Sequence, residues 1–242
     1  MIDTFNTQKV INMLKEYSDN REIIIKDISC HPTSKNSLGA VIEMPETIIV
    51  YLNTLYSEKI QEATFVHEIL HVILNLEGYP QIIKNKIKLK KINPQLHEAV
   101  QFLHDHFNSI IDHPIIFSRE INLFELDIDE YFKIQVEKKI ERFDKRKLNE
   151  IKNIIFINQQ DILIGLEYFH YPQKHKEKIL NIFKERSPDS YRSCLSLHKK
   201  LKFNTIKDCY SSAYKIKKHI IKYGKRKGKR ELNVLWDALD VM

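Results

Sequence analysis

Glycine is scarce in this chain, with five residues in 242, beside seven prolines and one tryptophan. So few turn formers exclude a turn-rich all-β design and leave helix-forming Ile, Leu, Lys and Glu to dominate. Cysteine is also sparse. Cys30, Cys194 and Cys209 are odd in number, far apart and never in a Cys-x-x-Cys pair, which excludes a disulfide framework and a zinc ribbon and predicts reduced thiols. No apolar run approaches the ~20 residues of a membrane span. The stretch Met1 to Asn12 contains Asp3 and has no apolar core behind a basic start, so no secretory leader is expected. These absences predict a cytoplasmic protein with no membrane partner. They do not bear on oligomeric state.

What is present suits a packed globular chain: 43% hydrophobic and 10% aromatic residues, enough for one large domain or two small ones. The formal charge is +7, and its distribution says more than its size. From Ser212 onward nine Lys or Arg face three acids, so the rest is nearly neutral. Between Lys225 and Arg230 five basic residues stand with Gly228 and no acid, just after Gly224, a run that is commonly solvated but can neutralise phosphates weakly and without sequence preference. No helix-turn-helix, zinc-finger or aromatic RNA-binding signature accompanies it.

Apolar spacing predicts a short helix over Asn6 to Tyr17, then strands at Glu22 to Ile28, Gly39 to Met44 and Thr47 to Leu52, with a polar loop at His31 to Ser37. A helix follows with Ser57 as its N-cap and Gly78 at its end. Lys84 to Lys91 reads as a solvated surface element. A second helix starts at Asn93-Pro94, reaches about Asp112 and is stopped by Pro114. Beyond it, helices are expected at Asp127 to Phe143, Lys147 to Ile157, Gln159 to His170, Pro172 to Arg186, Asp189 to Leu201 and Thr205 to Tyr223, with no intervening strand and a short helix around Trp236. The class is α+β, with domains at 1–126 and 127–242.

The chemistry concentrates in Thr64-Phe65-Val66-His67-Glu68-Ile69-Leu70-His71. Histidines four apart share one helix face, and His-Glu-x-x-His is the pattern in which they hold Zn²⁺ while the glutamate serves as general base toward water. Its flanks are uncharged, and polar groups in an apolar helix need a specific partner. Catalytic zinc takes three protein ligands, so a third is required. The metzincin positions for glycine and a third histidine hold Leu74 and Glu77, and Glu77 is turned away from His71. The helix after Pro94 is richer: His97 and His104 form one stripe, Glu98, Asp105 and Asp112 a second, and His106 and His113 a third. Glu98, in the manner of gluzincins, His104, His106 and His113 are the candidates. His31, His170, His175, His198 and His219 read as ordinary surface or satisfied core histidines.

The uncharged frame around His67-Glu68-Ile69-Leu70-His71, then Glu77-Gly78-Tyr79-Pro80, then Asn108-x-x-x-Asp112-His113-Pro114-Ile115-Ile116, resembles bacterial zincin-like proteins similar to the ImmA/IrrE metallopeptidases. The resemblance covers residues 40 to 125. It implies a zincin-like core, meaning a small sheet, the His-Glu-x-x-His helix and a second ligand helix, with a mostly helical C-terminal half. It also implies His113 as the third zinc ligand beside His67 and His71, Asn108 and Asp112 as site or supporting groups, and Glu68 as catalytic base of a zinc peptidase acting on a peptide or protein. By the same analogy Thr47 to Leu52 would line the cleft edge and pair with extended substrate. The competing reading is a catalytically weak zincin-fold binding protein that engages nucleic acid or a protein partner through its helical half and basic tail.

Overall fold

The computed structural model describes residues 4–17, 19–32, 37–145, 154–226 and 233–242. It is an α+β protein, about 67% helical, with ten helices and two small sheets among the described residues. Contacts divide it into two compact units, one of residues 1–78 and 116–131, the other of 79–115 and 132–242. This grouping is discontinuous in sequence.

The first unit opens with α1 (Phe5–Glu16), whose N-cap Thr4 accepts from the Thr7 N–H while the Thr7 side chain returns the bond to the Thr4 N–H. The Thr4 hydroxyl also donates to Glu62 at 2.6 Å, fastening α1 to the next long helix. Strands β1 (Glu22–Asp27), β2 (Gly39–Glu43) and β3 (Thr47–Leu52) form a sheet in the order β1-β3-β2, with β1 parallel and β2 antiparallel to β3. The run Thr-Ile-Ile-Val-Tyr-Leu suits β3 to this central place, and all but its first residue are buried. The expectation that Thr47 to Leu52 forms a cleft edge is therefore corrected: β3 is paired on both sides, and β1 and β2 are the edges.

Helix α2 (Glu58–Leu76) packs on α1, β2 and β3. It starts after Ser57, whose hydroxyl makes no capping bond, and stops where Gly78 takes a φ of 82°, a left-handed conformation that glycine adopts without strain.

The second unit holds β4 (Ile82–Lys84), α3 (Lys86–Leu89), most of α4 (His97–Asn122) and of α5 (Asp129–Lys145), then α6 (Ile154–Tyr168), α7 (Gln173–Arg186), α8 (Pro188–His198), α9 (Ile206–Arg226), α10 (Asn233–Asp237) and β5 (Leu239–Val241). Helix α6 packs against α7, α8 and α9, and at Gly165 it comes so close to α7 that an added Cβ would lie 2.2 Å from the Phe183 ring. Trp236 is fully buried, 6.0 Å from the Phe107 ring.

Three expectations about elements need correction. Pro114 does not stop the second helix: α4 runs on to Asn122. Proline inside a helix removes one ladder bond and costs about 3 kcal/mol. Burial on both sides of it, by Phe107, Ile110 and Ile111 before and Ile116 and Phe117 after, offsets that. Second, no break separates helices near residue 158, because α6 is continuous from Ile154. The start of the expected helix at Lys147 lies outside the described residues, as do most of the His31 to Ser37 loop and residues 227–232 of the basic tail. Third, Ile82–Lys84 pairs antiparallel with Leu239–Val241. Two three-residue strands far apart in sequence carry too little periodicity to be read locally. Lys84 to Lys91 is the expected surface element, a strand end and a helical turn with Lys86, Lys88, Lys90 and Lys91 exposed. Among the described residues no helix is long and apolar enough to cross a membrane.

Candidate metal centre

Helix α2 buries eleven of its nineteen residues, from Ile60 round to Leu74, so His67 stands in apolar surroundings with 3% of its surface exposed. Four-residue spacing sets the rings of His67 and His71 edge to face, with centroids 5.0 Å apart. His67 also lies against the rings of Phe117 and Tyr131.

A buried imidazole needs a partner, and His67 has one in Glu120, whose Oε1 is 2.9 Å from Nδ1. A carboxylate only accepts, so Nδ1–H donates and Nε2 keeps its lone pair. Glu120 is 1% exposed, and its Oε2 has no hydrogen-bond partner among the described residues. Such a carboxylate calls for positive charge nearby.

Glu120 sits on α4 seven residues, and about 10 Å of axial rise, beyond His113. Because α4 is unbroken through Pro114, both residues lie on one stripe of the same rod. His71, His67 and His113 each offer a ring nitrogen, and these atoms lie within 4.8 Å of one another, the one group of three metal-ligating side chains among the described residues. Tetrahedral zinc with bonds of about 2.0–2.1 Å sets its nitrogens about 3.4 Å apart, the same range of separation. Glu167 Oε1 stands 3.3 Å from His113 Nδ1. His67 thus has a hydrogen-bonded carboxylate at Nδ1, the arrangement that orients a ligating imidazole and raises its basicity, while Glu167 stands as a counter-charge beside His113. Burial pushes the Glu167 carboxyl up, but Lys139 and His113 outweigh it and hold it below the usual carboxylate range. A buried all-nitrogen face with carboxylates behind it, one of which has an orphaned oxygen, fits a divalent borderline-soft cation such as zinc.

Glu68, half-buried, occupies the next position on α2. Its Oε1 lies 3.3 Å from where a Cβ on Gly39 would stand, and that Cβ would also be 2.3 Å from Thr64 Cγ2 and 2.9 Å from the Tyr51 carbonyl oxygen. Glycine at the start of edge strand β2 is what lets the catalytic candidate lie beside the sheet.

The other candidates are engaged elsewhere. Glu98 is exposed in the first turn of α4. His104 pairs with Asp105 at 2.8 Å, and the His106 ring packs on Phe102. Asn108, expected as a supporting group, instead clamps β4 by accepting from the Ile82 N–H at 2.8 Å and donating to its carbonyl at 3.2 Å. Asp112 is buried close enough to Cys209 for its charge, second to burial, to help push that thiol up to about 12. Glu77 is not a ligand: Arg119 grips both its oxygens, at 3.0 and 2.6 Å, and Tyr17 donates to it at 2.6 Å.

Glu120, Glu167 and Gly39 escaped the sequence reading. The signal for Glu120 was there, on the His106–His113 stripe, but a helix ended at Pro114 hides it. Searches against protein-family models, curated proteins and solved structures find no match to this chain.

Proposed function

We propose that this chain is a zinc-dependent peptidase with a zincin-like core, in which His67, His71 and His113 hold the metal. The observation that carries the reading is the convergence of these three buried or half-buried histidines with Glu68 beside them. When bound, zinc supplies the Lewis acidity that makes water nucleophilic at neutral pH. Glu68 takes the proton of that water and hands it to the departing amine, so one carboxylate serves as base and then acid. Glu120 holds the His67 imidazole by accepting from Nδ1–H, which would leave Nε2 to a metal, and Glu167 places negative charge beside His113. Edge strand β2, next to Glu68, is the strand suited to pair with an extended peptide. Three unpaired thiols, two of them buried, suit a reducing cytoplasmic setting.

Metal analysis of the purified chain and of His71→Ala tests the site. About one zinc per wild-type chain and none in the variant is expected; zinc retained by His71→Ala overturns the ligand set. Glu68→Gln keeps zinc and loses hydrolysis of a peptide library, and equal hydrolysis by the variant overturns the assigned base.

A further inference from the structure

Helix α9 carries a second feature, independent of the histidines. Its buried residues Cys209, Ser212, Ala213, Ile216, Ile220, Tyr223 and Gly224 form one face against the core of its unit. The opposite face exposes Lys207, Lys215, Lys218, Lys222, Lys225 and Arg226. At 100° per residue these six cations fall within an arc of about 100°, and they run along about 28 Å of helix. Asp208, half-buried at the N-terminal margin, is the single acid on α9. Among the described residues no carboxylate pairs with any of the six, and the only hydrogen bond shown for them runs from Lys215 to the carbonyl oxygen of Lys200. Lys199 and Lys200, exposed after α8, extend the positive zone. The charges act on one another's surroundings: after burial, Arg226, Lys200 and Lys222 are what lower the His219 pKa.

A face of uncompensated like charge is self-repelling, and a polyanion relieves it by releasing condensed counterions. We infer that the exposed face of α9 is a docking surface for double-stranded DNA, bound through its phosphates. Three observations favour that occupant. The stripe runs along one unbroken helix, matched to a regular array of phosphates. Tyr214 is the one exposed aromatic within it, too little for the stacking platform that single strands need. The apolar face is already used in the core, so α9 has no wedge to insert into an anionic membrane. A helix about 10–12 Å across also matches the B-form major groove, whereas the deep, narrow groove of duplex RNA excludes it. Binding is expected to be sequence-tolerant, since these are lysines on a phosphate track without base-reading side chains.

The test is fluorescence anisotropy of the full chain with a labelled random-sequence 20-base-pair DNA duplex across a salt series. The triple variant Lys207→Ala, Lys218→Ala, Lys222→Ala leaves residues 225–230 intact. It should weaken binding at least about tenfold and flatten the log–log salt slope by about 2 to 3. A control, Lys15→Ala, Lys26→Ala, Lys90→Ala, removes the same charge from exposed sites elsewhere and should bind like wild type. Unchanged affinity of the α9 variant overturns the inference, as does an equal loss in both variants. Tighter binding to duplex RNA, or binding to phosphatidylserine vesicles without binding to duplex DNA, also overturns it. His71→Ala should bind DNA normally, so this outcome is separable from that of the metal site.

Discussion

Helices α2 and α9 are nearly equal in length, 19 and 21 residues, yet they treat polar groups in opposite ways. Helix α2 is buried on most sides, so a histidine there must find its partner within the protein, and His67 finds Glu120. Helix α9 is buried on one face only, and the six cations of its exposed face have no carboxylate partner among the described residues. A polar residue is informative in proportion to the solvation it has given up. Burial makes His67 a sharp signal even as a single residue, whereas the lysines of α9 say something only because six of them align.

The largest effect expected from this contrast is on the inward face of α9. Ile220→Ala, at a fully buried position, should lower stability by about 2–5 kcal/mol, read from the urea midpoint. A loss below about 1 kcal/mol would mean that α9 is not part of the core.

Next comes the polar pair on α2. Glu120→Ala leaves the Nδ1–H of His67 buried without its acceptor and should cost about 1–3 kcal/mol. In titrations of the metal it should lower zinc affinity about 10- to 100-fold, with Glu120→Gln recovering much of both because its carbonyl oxygen still accepts. If the alanine variant binds zinc as wild type does, the carboxylate does not orient the imidazole.

Gly39→Ala should cost about 1–3 kcal/mol by overpacking against Thr64 and the Tyr51 carbonyl. Adding Thr64→Ser removes the Cγ2 that the new methyl meets, so thermal unfolding of the double variant should show partial recovery. No recovery would place the strain at the Tyr51 backbone.

The smallest effect concerns His219, which faces Ser193 with Nε2 2.7 Å from its hydroxyl. Burial, and then Arg226, Lys200 and Lys222, lower its pKa from the ordinary 6.5. A folded pKa below the unfolded one means that its contribution to stability is present above pH 6.5 and lost as pH falls through the folded value. Lys222→Glu replaces a nearby cation with an anion and should move the imidazole titration upward, as followed by NMR. A titration that does not move would show that burial alone sets it.

Much of this protein is legible locally. The strand bounds at Glu22, Gly39 and Thr47 and the stop of α2 at Gly78 follow from β-branched runs and from a glycine free to take a positive φ. The two histidines of α2 follow from spacing alone. Expectations failed where a local rule was outweighed by distant contacts. Pro114 is a helix breaker by itself, and burial on either side carries α4 through it. The resemblance implies Asn108 as a site group, but its amide is taken by the backbone of Ile82 in β4, a strand formed by pairing with residues far away in sequence.

What the sequence by itself determined is periodicity and residue type: an α+β chain, the paired histidines with Glu68 between turns, and a basic C-terminal third. Tertiary structure decided which groups meet. That Glu120 reaches His67, that His113 rather than Glu98 joins the trio, and that β2 rather than β3 is an edge all depend on contacts between residues far apart in sequence. Spacing fixes direction around one helix axis, but only packing sets the distance between two axes, and chemistry at a site is governed by that distance.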